Sequence, residues 1–216
     1  MKVGVTRPLL QSAKLLINKM KKLSTYLFLI LFSFSAPSFA DDISDFQIEG
    51  ISIGDSLLDY MSEEAILKEI EENKDRYSFL EDSNRFGEVF KWNSSKIYDV
   101  VSFLVKPDDE KFLIYDISGS IEFLNDFTGC KKKQNEIAKE ISKMFSDAKK
   151  DEGTYNHRVD PTNRSIINYV RFEFDSKDTI LIQCMDFEEN IRIKKKLMED
   201  LSVGISTAEV NKWFRP

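Results

Sequence analysis

"EVFKWNSSKIYDVVSFLVKPDDEKFLIYDISGSIEF", residues 88–123, decides the fold. It holds three runs rich in aromatic and β-branched residues: 88–92, 97–105 and 111–123. They are parted by Asn93-Ser94-Ser95 and by Pro107-Asp108-Asp109. Apolar runs punctuated by such residues read as successive strands joined by turns. Gly119, inside the third run, predicts a bulge or a bend.

Helices flank this run of strands. Upstream, Ala65, Ile66 and Ile70 recur near the helical period over 62–73, behind Ser62 as N-cap and with Glu63 and Glu64 in the first turn. Residues 74–87 are polar and read as a loop. Downstream, Ile137, Ile141, Met144, Phe145 and Ala148 make one apolar stripe, which predicts a helix over 131–149. The stretch "DEGTYNHRVDPTNRS" (151–165) reads as a loop. "NYVRFEFD" (168–175) and "TILIQCMDF" (179–187) then read as a hairpin turning at Ser176-Lys177. A short helix within 188–199, a strand at 201–205 and a helix at 207–214 complete the chain. Strands in runs, with helices before, between and after them, predict an α+β class: antiparallel sheet or sheets with packed helices.

A signal peptide is expected ahead of that domain. Residues 20–40, "MKKLSTYLFLILFSFSAPSFA", place Lys21 and Lys22 before an apolar core and end in a small-x-small site. This predicts a secretory signal cleaved between Ala40 and Asp41. The uninterrupted apolar run is shorter than the roughly 20 residues a spanning helix needs. Residues 1–19 read as an extension ahead of the true start at Met20, and 41–216 as a single mature domain with possible sub-halves 41–126 and 127–216. The expected location is the periplasm or the exterior.

Charge narrows the partners. All 37 acids lie beyond residue 40, whereas six of the 31 Lys/Arg precede it, which leaves the mature part at net −12. Such a chain repels phosphate backbones and anionic headgroups, so neither nucleic acid nor membrane is an expected partner after signal removal. The basic triplets 131–133 and 194–196 read as solvated helix faces.

Four residues, Gly54-Asp55-Ser56-Leu57, resemble the first block of the GDSL serine hydrolases, which would make Ser56 a nucleophile. That chemistry needs a histidine base and an acid to orient it. The family's Asp-x-x-His is absent, since the one histidine, His157, follows Thr154 by three. Asn125-Asp126 has Phe123 where the family's Gly-x-Asn-Asp block has glycine. A structural reading fits better. "ISIGDSLLD" (51–59) is echoed by "LSVGISTAE" (201–209), each ending in Ser-x-x-acid. That spacing approximates a capping box, with Ser56 and Asp59, and Ser206 and Glu209, as helix caps. No catalytic residue is therefore expected, and a serine esterase centred on Ser56 is the alternative.

The two cysteines, Cys130 and Cys184, are the only pair available for a disulfide in an exported chain. One histidine and no clustered cysteines leave no zinc spacing, so neither metal nor cofactor is expected. Pro107 to Glu110 lacks the spaced acids of a calcium loop and reads as a turn.

The segments "IEGISIGDSLLDYMSEEAI" (48–66), "FDSKDTILIQCMDF" (174–187) and "LSVGISTAEVNKWF" (201–214) resemble uncharacterised exported proteins of marine alphaproteobacteria, a family with no assigned activity. The order of elements over 51–123 is similar to the small outer-membrane assembly proteins of the SmpA/BamE kind, a helix pair followed by three antiparallel strands. This chain lacks their lipidated cysteine. Together these readings predict a soluble, non-enzymatic binding or interaction module whose partner is an unidentified protein or small molecule.

Overall fold

Residues 88–123 form the expected meander in the computed structural model, which describes Ile43 and residues 46–93 and 96–214. Residues 1–42, with the expected signal and its Ala40–Asp41 junction, lie outside the described residues. Strand β1 is Gly87–Trp92, β2 is Val100–Val105 and β3 is Ile114–Glu122. Before them α1, Glu63–Asn73, is capped as expected: Ala65 N–H donates to Ser62 Oγ at 3.3 Å. After them come α2 (Phe127–Met144), β4 (Lys149–Asn156), β5 (Ile166–Glu173) and β6 (Thr179–Asp186). The chain continues as α3 (Glu189–Lys195), β7 (Asp200–Ser206) and α4 (Ala208–Phe214). All seven strands join one antiparallel sheet in the order β1-β2-β3-β7-β6-β5-β4, so the α+β class holds.

Three expectations need correcting. Residues 149–156 are a strand, not a loop, and α2 ends five residues earlier than its apolar stripe implies. The reason is position: β4 is an outer strand with both faces wet, so its charged "KKDEGTYN" shows no apolar alternation. Gly119 makes no bulge. It pairs in register with Val101 and Val203, and a Cβ there would lie 2.6 Å from the Tyr98 ring, so glycine serves to seat that ring. The irregularity falls instead between Leu104 and Val105.

Alternation assigns each strand residue to a face. One face carries Val89, Val101, Phe103, Ile117, Val203, Ile205, Ile180, Ile182, Val170 and Phe172, all buried in the main core. Helices α1 and α2 both lie on this face. Ile66 is fully buried there, and a Cβ on Gly87 would meet Ile70 at 2.7 Å. From α2, Cys130, Ile137, Ala138 and Ile141 are buried in the same core. The opposite face receives α4 and the 74–86 loop. There Phe86, Leu104, Val210 and Trp213 form a smaller cluster, and Trp213 Nε1 donates to Asp82 O at 2.6 Å.

Each meander starts at its own outer edge and runs inward, with β1 and β4 pointing the same way. Since α1 and α2 share one face, no rotation superimposes 41–126 on 127–216. An axis normal to the sheet reverses strand direction, and one along the strands exchanges the faces. The sub-halves are not a rotated repeat. What joins them is β7, which bonds to β3 on one side and β6 on the other.

Candidate functional site

Ser56 is the N-cap of the turn that follows it. It precedes a single 3-10 turn, Leu57–Asp59. Its Oγ donates to Lys111 O at 2.6 Å and accepts from Leu58 N–H at 3.3 Å. His157 lies in the loop after β4, with its ring 5.2 Å from that of Phe187 and its Nδ1 accepting Val159 N–H. Partial burial lowers its pKa. A serine nucleophile needs a base within hydrogen-bond reach, and His157 is committed elsewhere. Asp59 does not complete a capping box. The carboxylate that organises this turn is Asp55, whose Oδ2 accepts from Ser52 N–H at 2.9 Å and Tyr60 O–H at 3.0 Å. Gly54, at φ 85, makes the turn possible.

At the echo, 201–209, Ser206 is not a cap. Ser206 is the last residue of β7, paired with Asp116 and Thr179, and its hydroxyl donates to Asp116 Oδ2. Because the ladder continues through Ser206, the cap moves one residue on: Val210 N–H donates to Thr207 Oγ1 at 3.4 Å, and Ala208 N–H to Asp178 Oδ1 at 2.7 Å. Glu209 turns instead to Arg85 at 2.7 Å and Lys106 at 3.0 Å.

The echo does lead to the most unusual surface of the molecule. Ser202, Gly204 and Ser206 alternate onto the face away from α1 and α2, and their cross-strand partners there are Ser120, Ser118 and Asp116. Two rows run side by side over this face. One is Trp92, Val100, Ser120, Ser202, Gln183 and Tyr169; the other is Phe90, Ser102, Ser118, Gly204, Leu181 and Arg171. The result is a floor of serine and glycine on β2, β3 and β7. It is walled by Phe90 and Trp92 on β1 and by Leu181 and Gln183 on β6. Four strand spacings put the walls about 19 Å apart. Trp92 is 58 % exposed and stacks on Phe90 with centroids 6.0 Å apart. On the far side, Gln183 Nε2 donates to Tyr155 Oη at 3.0 Å. Loops from the two sheet edges meet on this side of the sheet, where the Arg158 guanidinium lies 3.4 Å from the centroid of the Phe79 ring.

Carboxylates mark the ends of the floor. At one end, half-buried Asp116 sits between the hydroxyls of Ser206 and Ser118. Burial pushes its carboxyl up to about 7, with the like charge of Glu88 adding to the rise. At the other end Asp200 is 5 % exposed, and burial pushes it up to about 6 despite a hydrogen bond from Ser120. Its Oδ1 is shut off from solvent with no hydrogen-bond partner. Asp200 pairs directly with Glu122, which is exposed, so two acids face each other across β3 and β7.

Cys130 and Cys184 are bonded, with 5.9 Å between their Cα atoms, and tie the first turn of α2 to β6. Both are buried in the main core, so this is a structural clasp. The 107–110 stretch is a turn, with Asp109 accepting from Lys111 and Leu113 N–H. Among the described residues no group of three or more His, Cys, Asp or Glu is placed to hold a metal ion. Lys131 and Lys132 lie on the outer side of α2, and Lys194–Lys196 end α3.

No family model, no curated protein and no solved structure matches this chain. The reading of its site therefore rests on its own geometry. The floor residues were visible in sequence only as period-two alternation, "ISGSIE" and "LSVGIS"; the adjacency of the two segments was not.

Proposed function

We propose that this protein is an exported, soluble binding module, periplasmic or secreted after cleavage between Ala40 and Asp41. It engages a small-molecule or protein partner through the polar face of its sheet. The observation that carries this reading is the Ser/Gly floor between Phe90–Trp92 and Leu181–Gln183. Small polar side chains in the middle of a sheet bury little of their own, yet they leave a recess with hydroxyl donors and acceptors between an aromatic wall and the Leu181–Gln183 wall. Sites of that make-up hold ligands by a few placed polar groups and apolar flanks. The buried disulfide supports an oxidising compartment. No described helix is long and apolar enough to cross a membrane.

The test is resonance mapping of the 41–216 chain against a fragment library. Perturbations should cluster on Ser102, Ser118, Ser120 and Ser202, and Ser118→Arg should abolish them while leaving the fold intact. Turnover of model esters, or labelling of Ser56 by a fluorophosphonate probe, would replace this reading with the esterase one.

A further inference from the structure

The polar face of the sheet is covered at both ends and bridged between them. At one end the 74–86 loop and α4 close over Leu104, with Tyr77 and Leu80 packed on that cluster. At the other, Ile167 alternates with Tyr169 and Arg171 onto the same face and is buried, as is Phe187, two residues past its partner Met185. The loop after β4 lies at that end, its His157 ring 5.2 Å from that of Phe187. Three two-residue steps along the strands, about 20 Å, separate the row of Leu104 from the row of Ile167. The rows between them hold Ser102, Ser118, Gly204, Ser120 and Ser202.

A line of side chains joins the two ends. Trp213 lies 4.9 Å from Tyr77, Tyr77 lies 6.2 Å from Phe79, and the Arg158 guanidinium lies 3.4 Å from the Phe79 centroid, next to His157 on Phe187. To connect opposite ends on this side of the sheet, the line has to pass over the floor. Each loop is fastened by its own bonds. Asp82 O accepts from Trp213 and Arg76 pairs with Glu88, while Asp160 accepts from Thr162, Arg164 and Ser165 N–H. The join between the loops is softer. Phe79 is 48 % exposed, and none of the ion pairs among the described residues involves Arg158. A cation over a ring at so exposed a place shifts an equilibrium by about two- to fivefold, so opening is thermally accessible.

We propose that Phe79 and Arg158 are the latch of a strap over the Ser/Gly floor. With the pair closed, the two loops cover the middle of the floor and retain what lies beneath. When the pair parts, each loop keeps its own anchors and the floor is open to entry and release, the gating that lids perform over binding sites. The inference rests on the polar face being the binding surface, and adds how that surface is closed.

A neutral, soluble nitroxide added to the folded 41–216 chain tests it, through the broadening it causes at backbone resonances. The amides of Ser118, Ser120 and Ser202 should broaden about two- to fivefold more in Phe79→Ala and in Arg158→Ala than in the parent. Phe79→Tyr should stay at the parent level, because it keeps the ring, and Glu152 on the outer strand should respond alike in all four proteins. Phe79 and Arg158 sit on separate loops at the surface, so each variant checks the other, with unchanged dispersion showing that both fold. Fragments that perturb the floor should also exchange faster in the two alanine variants. Equal broadening of the floor in parent and variants would overturn the latch, and if fragments still perturb that face the binding surface stands without it. Greater access in the variants with no fragment bound by any of the proteins would leave a cover with nothing to gate, and both readings fall.

Discussion

The two faces of the sheet use the same strands to opposite ends. On the helix-covered face every central position is apolar and buried, from Val101 and Phe103 through Ile117 and Val203 to Ile180 and Ile182. On the other face the alternate residues of the same strands are Ser102, Ser118, Ser120, Ser202 and Gly204. An antiparallel sheet can leave one face wet, but long polar side chains or scattered apolar ones would do that as well. A floor of the smallest polar residues, beside large rings at its margin, makes a recess. The comparison teaches that close packing and small polar side chains have been allotted to different sides of one layer, with α2 and its disulfide on the first and the acids Asp116 and Asp200 on the second.

Paired substitutions would break this division most directly. Phe103→Ala should cost about 3–5 kcal/mol in chemical denaturation, because it leaves a cavity where no water enters. Ser118→Ala, one strand away on the opposite face, should stay within about 0.5 kcal/mol. Equal losses would show that the second face is also core. Next in size, reduction of Cys130–Cys184, which spans 54 residues, should lower stability by about 2–4 kcal/mol, measured with the Cys130→Ser/Cys184→Ser variant. No loss would remove the clasp from the stabilising side of the comparison.

The acids of the second face give a pH signature. Asp116 stands at about 7 in the fold against the ordinary 3.8. Between those values the folded state keeps a proton that the unfolded chain has released, so stability should fall as pH rises from about 4 to about 7. Asp116→Asn should flatten that fall and leave the protein more stable than the parent at pH 8, by on the order of 2 kcal/mol after discounting for a half-buried site. A parent curve that rises over this range would contradict the assignment. Smallest of all, Thr207→Ala should cost about 1 kcal/mol through the lost cap of α4, whereas Glu209→Ala, which loses only partly exposed ion pairs, should cost a few tenths. The reverse order would restore the cap to the serine-and-acid reading.

Much of this fold could be read from the chain. Where one face is dry and the other wet, as in 100–105 and 114–122, apolar alternation marks the strand. Ser62, followed by two acids, marks the start of α1 as plainly. β4 escaped because an edge strand wet on both sides has no period to detect. The echo between 51–59 and 201–209 misled in a more instructive way. The same Ser-x-Gly-x-Ser letters form a glycine turn that bonds to residues 112–114 in one place and a regular strand that bonds to 116–122 in the other. Local spacing describes both equally well, and only the partner segment separates them. The candidate site was illegible for the same reason: Ser102, Ser118 and Gly204 are remote along the chain and become neighbours only through strand order.

That order has a temporal side. The strand at the centre of the sheet, β7, is the last of the seven to be synthesised, and its partners in β3 lie some eighty residues earlier. Until it arrives, the two meanders each present an unpaired inner edge, β3 on one and β6 on the other, and those edges are free to pair with other chains. Non-local closure of this kind makes folding slow. A nascent chain stopped before residue 200 would not be a smaller version of the protein. It would be two sticky halves, and whatever guards this polypeptide before completion has to shield those two edges.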